Sequence, residues 1–153
     1  MVSVWALSAM VLLAVLGTAL MILRRRFLSV LVEGSSMEPT LHAGQRVLVR
    51  RTEVADLRRG QVVVVARPAD GPPPRADVPL WLIKRVAAVP GDPIPREAVP
   101  ALRHVMEPRV PAGRLVLLGD NHAASFDSRR VGYFSADTLL GTVVRPYIRP
   151  PGY

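Results

Sequence analysis

The chain has 153 residues, a net charge of +8 and a pI near 11.3, which fits one modest domain. It has no cysteine, so disulfides and thiolate metal sites are excluded. Only 5% of its residues are aromatic and its arginines are scattered, a pattern that disfavours nucleic acid and favours an anionic lipid surface as the target of the charge.

The twenty basic residues are nineteen arginines and one lysine, Lys84. Arginine stays protonated in a protein, whereas a buried lysine can lose its proton and serve as a base. The solitary lysine is therefore a candidate for chemistry that arginine cannot perform.

Val4 to Leu23 is a run of twenty uncharged residues rich in Leu, Val, Ala and Met, about the ~20 needed to cross the bilayer as a helix. No basic stretch precedes it, it exceeds the ~7–15 residue core of a cleavable signal peptide, and no clear small-x-small cleavage site precedes the arginine cluster that follows. A retained single-pass anchor is expected. Arg24, Arg25 and Arg26 come next, and the positive-inside rule places such a cluster on the cytoplasmic face. Phe27 to Val32 is apolar enough for a strand lying close to the membrane surface.

Val32-Glu33-Gly34-Ser35-Ser36-Met37-Glu38-Pro39-Thr40-Leu41 sets two adjacent serines between a glycine that frees the backbone and a proline that stiffens it. The expected product is a tight turn presenting a hydroxyl, though ordinary surface turns share this composition. Gln45 to Arg50 alternates as a strand, Thr52 to Gly60 has room for one helical turn, and Gln61 to Ala66 reads as a buried strand of four successive valines. Arg67 to Pro79 contains Gly71 and three consecutive prolines, so a loop at a sheet edge is expected.

Trp81 to Val89 is the next strand. Leu82, Lys84, Val86 and Ala88 share one face, and Trp81, Ile83, Arg85 and Ala87 the other. The lysine therefore stands among aliphatic neighbours, where desolvation disfavours its charge. Bringing its pKa from about 10.4 into the ~7–8 range useful for a base takes roughly 3–5 kcal/mol.

Pro90-Gly91-Asp92-Pro93 closes that strand. A helical stretch around Glu97 to Met106, weakened by Pro100, precedes a short apolar strand at Arg114 to Leu118. The strand delivers the chain into a dense polar loop, Gly119 to Arg129, a common setting for site residues. Ser135 is placed to cap a turn through Leu140 that Gly141 ends, and Thr142 to Ile148 returns as a strand.

A serine needs a base to become a nucleophile, and the candidates are three histidines and Lys84. His122, with Asp120 or Asp127, would complete a Ser-His-Asp triad. Lys84 fits better, because its strand environment supplies the pKa shift its role requires. No residue spacing matches a metal site, and there is no glycine-rich phosphate loop.

Three segments taken in order resemble the signature boxes of type I signal peptidases. They are Gly34-Ser35-Ser36-Met37-Glu38-Pro39-Thr40, then Ile83-Lys84-Arg85-Val86 with Pro90-Gly91-Asp92, then Gly119-Asp120-Asn121 through Ser125-Phe126-Asp127-Ser128-Arg129. The resemblance implies a mainly β fold of several short strands behind an N-terminal transmembrane helix, with residues 1–26 as the anchor and 27–153 as a serine peptidase domain. It implies a Ser/Lys dyad without a cofactor, in which Ser36 is the nucleophile and Lys84 the general base. By the same resemblance Ser125 orients the lysine amine, Asp127 and Arg129 form an ion pair holding the loop, and Asp120 and Asn121 shape it. The Ser36 backbone N–H would serve the oxyanion hole. Some members add a serine hydroxyl where this chain has Gly34, so a second donor must be backbone or solvent. Val32, Met37, Leu41 and Ile83 fall where the family builds shallow apolar pockets, implying cleavage after Ala-x-Ala-like sequences in precursor proteins. The span from Asp92 to Gly113 is too short for the large extra subdomain of some members, which implies a compact form.

The resemblance implies an extracytoplasmic domain, whereas the Arg24–Arg26 cluster points to the cytoplasm. A dedicated maturation peptidase for one cognate precursor is the nearest alternative, and a catalytically silent binding protein on the same scaffold is the other.

Overall fold

The structure is a computed structural model that describes residues 4–67 and 81–148. Helix α1 spans Val4–Arg26 and carries basic residues only in its last turn. At ~1.5 Å per residue it is about 35 Å long. It is long and apolar enough to cross a membrane, with mean hydropathy 1.7 over Ser8–Arg26 and none of that window buried inside the molecule. A helix suits such surroundings because its backbone groups bond to one another. Thr18 follows the same rule, its hydroxyl donating to the Ala14 carbonyl at 2.8 Å.

Strand β1 (Phe27–Leu31) begins at the residue after the helix. It is followed by β2 (Arg46–Arg50), β3 (Val62–Ala66), β4 (Trp81–Ala88), β5 (Arg114–Leu118), the short helix α2 (Ser128–Val131), β6 (Phe134–Ser135) and β7 (Leu139–Ile148). The seven strands make one curled antiparallel sheet in the order β1-β2-β7-β3-β4-β5-β6. The mainly β architecture behind an N-terminal apolar helix is the one expected.

The valine run in β3 serves two cores at once. Val62 and Val64 pack with Val32, Met37, Leu41, Val47, Val49 and Ile83. Val63 and Val65 face the other way, into Leu57, Val86, Leu115, Leu117 and Phe134. A strand buried on both faces has no polar positions to alternate with, hence the unbroken apolar run. A third cluster of Ala88, Ile94, Val99, Leu102, Val110 and Val116 packs the segment between β4 and β5.

Three local expectations change. The stretch from Glu97 to Met106 forms only a 3-10 turn at Pro100–Leu102, because Pro100 has no N–H to donate and its ring crowds the preceding turn. Gly141 does not end a turn but lies inside β7, and its neighbour Thr142 pairs with Arg50. A Cβ at Gly141 would lie 2.2 Å from the Arg50 carbonyl oxygen, so the glycine is required by the close approach of β2. Ser135 does stand before the 3-10 turn Ala136–Thr138, but its side chain makes no cap; the Thr138 hydroxyl instead donates to the Ser135 carbonyl at 2.6 Å. The loop expected from Arg67 to Pro79 lies, beyond Arg67, outside the described residues.

Candidate active site

The serine turn is the connection from β1 to β2. Val32 N–H donates to the Gln45 carbonyl and Gly44 N–H to the Val32 carbonyl, which extends the β1–β2 ladder to the mouth of the turn. Gly34 has φ +74°, a conformation that side-chain-bearing residues rarely adopt. Two further bonds coil the segment, from Glu38 N–H to the Ser35 carbonyl and from Leu41 N–H to the Met37 carbonyl, around a cis Glu38–Pro39 peptide. Met37 and Leu41 are buried in the core, which plants the turn and leaves Ser36 half-buried above it.

Strand β4 brings Lys84 to this hydroxyl. Its Nζ donates to Ser36 Oγ at 3.0 Å, across 48 residues of sequence. Lys84 is only 2% exposed, and Val63 is its register partner on β3. Burial lowers its pKa from 10.5 to about 8, opposed by the negative charge of Asp127 and assisted by the positive charge of Arg129. An amine in that range is available as a proton acceptor near neutral pH.

The polar loop after β5 closes the site from a third side. Asn121 N–H donates to the Ser36 carbonyl at 3.0 Å. A Cβ at Gly119 would lie 2.2 Å from Ser125 Oγ and 2.7 Å from the Ser36 carbonyl oxygen, so only glycine lets the loop pass between them. Asp127 is fully buried and caps α2 by accepting from Arg129 N–H. Its carboxylate also accepts from Gly119 N–H at 2.8 Å and from the Arg129 guanidinium at 2.6 Å. Burial by itself would raise the Asp127 pKa, but these hydrogen bonds hold it below the usual carboxylate value. Arg129 reaches on to the Gly119 carbonyl. Ser125 is buried beside them. Its hydroxyl makes no hydrogen bond of ordinary geometry, though it lies close enough to help hold the Asp127 carboxyl down.

Asp120 acts as a clamp between elements. Arg85 binds it with two nitrogens, at 2.8 and 2.6 Å, and the Thr40 hydroxyl donates to it at 2.6 Å. The Arg85 hydrogen bonds are the main reason its pKa is lowered. The serine turn, β4 and the polar loop are thereby tied at a second point, with Arg85 also donating to the Gly60 carbonyl. Thr40 and Arg85 had no individual role in the sequence reasoning. The available signal was an arginine on the same strand face as Ile83, since a partly buried guanidinium requires an acid.

The histidine alternative loses its partners. His122 is exposed, while Asp120 is held by Arg85 and Asp127 by Arg129. Val32, Met37, Leu41 and Ile83 are brought together, but in a core cluster in which none is more than 8% exposed. A cleft of about 230 Å³ opens onto Ser36 and Lys84 and is walled by Glu33, Gly34, Ser35, Arg67, Leu82, Ala124 and Phe126.

The sequence matches the family model described as signal peptidase, peptidase S26, over residues 4–100 and 96–148. The chain belongs to the signal peptidase S26 family. It is 30% identical over 159 aligned residues to Signal peptidase I T of Bacillus subtilis (strain 168), covering 84% of this chain and 78% of that protein. It is 29% identical to Signal peptidase I of Bacillus licheniformis, covering 84% of this chain and 81% of the relative. Signal peptidase IB of Staphylococcus aureus (strain COL) is 26% identical over 73% of each chain. Within the signal peptidase family fold, a serine hydroxyl, a buried amine and a rigid polar loop converge from three segments of this chain.

Proposed function

We propose that the chain cleaves leader peptides through Ser36 as nucleophile and Lys84 as general base. Family membership makes it a serine endopeptidase that removes signal peptides from precursor proteins. The observation that carries the residue assignment is the 3.0 Å contact between a buried, pKa-lowered amine and Ser36 Oγ. In its neutral form Lys84 takes the Ser36 hydroxyl proton as Oγ attacks the scissile carbonyl carbon. The oxyanion that forms is met by the Ser36 N–H. Collapse of the tetrahedral intermediate breaks the C–N bond, and the Lys84 ammonium returns the proton to the departing amine. Water, deprotonated by the same amine, then hydrolyses the acyl-enzyme.

Asp127, Arg129, Asp120 and Asn121 serve as the frame that holds the two reacting groups in line; the role of orienting the amine falls to Ser125 by the family resemblance, its hydroxyl making no hydrogen bond to Lys84 here. Val32, Met37, Leu41 and Ile83, which the family resemblance assigns to the substrate pockets, pack together in one core cluster and do not line the cleft at Ser36. The small volume of that cleft, about 230 Å³, suits small side chains, in keeping with Ala-x-Ala-like cleavage sites. Gly34 brings no hydroxyl to the oxyanion hole.

Helix α1 is the single-pass anchor in the cell membrane, and the catalytic domain faces away from the cytoplasm. The arginine cluster in the last turn of α1 supports a second reading, a cytoplasm-facing maturation peptidase for one precursor. Replacing Ser36 or Lys84 by Ala, with folding confirmed by circular dichroism, is expected to abolish cleavage of a leader-bearing substrate. Retained turnover in either variant would remove the dyad from consideration.

A further inference from the structure

A second cleft, of about 620 Å³, sits where the chain leaves α1. Phe27, the first residue of β1, lines it together with Arg50, Arg59, Val143 and Arg85. Arg50 is the register partner of Phe27, and Arg51 N–H donates to the carbonyl of Arg26, the last residue of α1, at 2.9 Å. The cleft is therefore fixed to the end of the helix rather than carried on a free loop.

No acidic residue lines it. Arg85 is engaged by Asp120, but the side chains of Arg50 and Arg59 are exposed and make no ion pair with any described residue. Two uncompensated guanidinium groups flank one cavity, with Arg24, Arg25 and Arg26 in the adjoining helical turn. The planar donor fork of arginine matches phosphate oxygens. Phe27, Val62 and Val143 give the same cleft an apolar wall, so it suits a ligand with an anionic head joined to a greasy stem.

We propose that this cleft binds the phosphate headgroup of an anionic phospholipid from the leaflet at the C-terminal end of α1, with Arg50 and Arg59 as the phosphate ligands. The site rests on α1 being a bilayer anchor. A headgroup held there gives the domain a second point of attachment beside the helix, which restrains its rotation about the helix axis and fixes how the Ser36 cleft faces the membrane.

The test uses the full chain in phosphatidylcholine nanodiscs containing a minor share of spin-labelled phosphatidylglycerol, with electron spin resonance reporting the immobilised lipid. The double variant R50Q/R59Q is compared with R103Q/R114Q, which removes the same charge from exposed arginines outside the cleft. The cleft variant is expected to weaken phosphatidylglycerol retention roughly tenfold or more, the scale of two surface arginines, while the control stays near wild type. Equal losses in both variants would reduce the effect to a diffuse field and overturn the site, as would retention in the cleft variant. Displacement of the label by millimolar glycerol phosphate in the wild type would assign the cleft to a soluble phosphate instead. A chain that fails to enter nanodiscs at all would overturn the anchor, and this site with it.

Discussion

Lys84 owes its character to its position. An amine taken out of water at 2% exposure holds its proton less tightly, and the result is a pKa of about 8 in place of 10.5. In the proposed mechanism kcat/KM should rise roughly tenfold per pH unit through the acid range and level off near that pKa. A profile flat from pH 5 to 9 would show that another group is the base. The same shift carries a stability consequence of defined sign. Because the folded pKa lies below the unfolded one, the folded state binds fewer protons between about 8 and 10.5, so stability rises with pH across that window. Below it the buried charge costs about 3 kcal/mol. Lys84→Met, which keeps the length and removes the charge, is therefore expected to abolish cleavage yet raise the thermal midpoint at pH 7, by about 1–3 kcal/mol of stability, with the gain fading towards pH 10.5. A variant less stable than wild type at pH 7 would contradict the desolvation account.

At the level of elements, three segments hold the site and each has its own lock. The serine turn is planted by Met37 and Leu41, β4 is bound through Arg85 to Asp120, and the polar loop is fixed by Asp127 and Arg129. Gly119 is where the loop and the turn nearly touch. In Gly119→Ala the new methyl would meet both Ser125 and the Ser36 carbonyl, and the backbone at Ser36 would have to yield. Displacement of a reacting group by about 1 Å costs on the order of 10²-fold in rate. Overpacking of this kind costs about 1–3 kcal/mol in stability. Gly119→Ala is expected to show both losses, measured as kcat on a leader peptide and as the urea midpoint. A variant with wild-type kcat would mean that the approach is not needed for catalysis. The sequence marks Gly119 as a glycine at the end of a strand and the start of the third family-like segment, but not its crowding, which comes from a side chain six residues on and a carbonyl from another segment.

For the molecule as a whole, the side of the membrane on which the proposed anchor places the domain decides which precursors it can reach. No linker separates α1 from β1, so with α1 as the proposed anchor the cleft stays close to the bilayer on either face. The proposed orientation predicts that protease added to intact spheroplasts digests the domain while cytoplasmic markers survive. Full protection until lysis would favour the cytoplasm-facing reading that Arg24, Arg25 and Arg26 support.

Much of this architecture is determined by the sequence alone, because it depends on periods and composition that act locally. The charge-free run makes α1, alternation assigns Lys84 and Arg85 to opposite faces of β4, and the valine run announces a strand buried on both sides. A single lysine among nineteen arginines marks the one cation suited to be a base. The tertiary structure alone decides which distant groups meet. Ser36 and Lys84 lie 48 residues apart, Arg85 and Asp120 35, and Thr40 and Asp120 80. Their meeting depends on β7 inserting between β2 and β3, and the local preferences of a strand specify its faces but not its neighbours. For the same reason Gly141 reads as a stop in the sequence and proves to be a point of close contact. The burial that lowers the pKa of Lys84 likewise exists only once the sheet has closed around it.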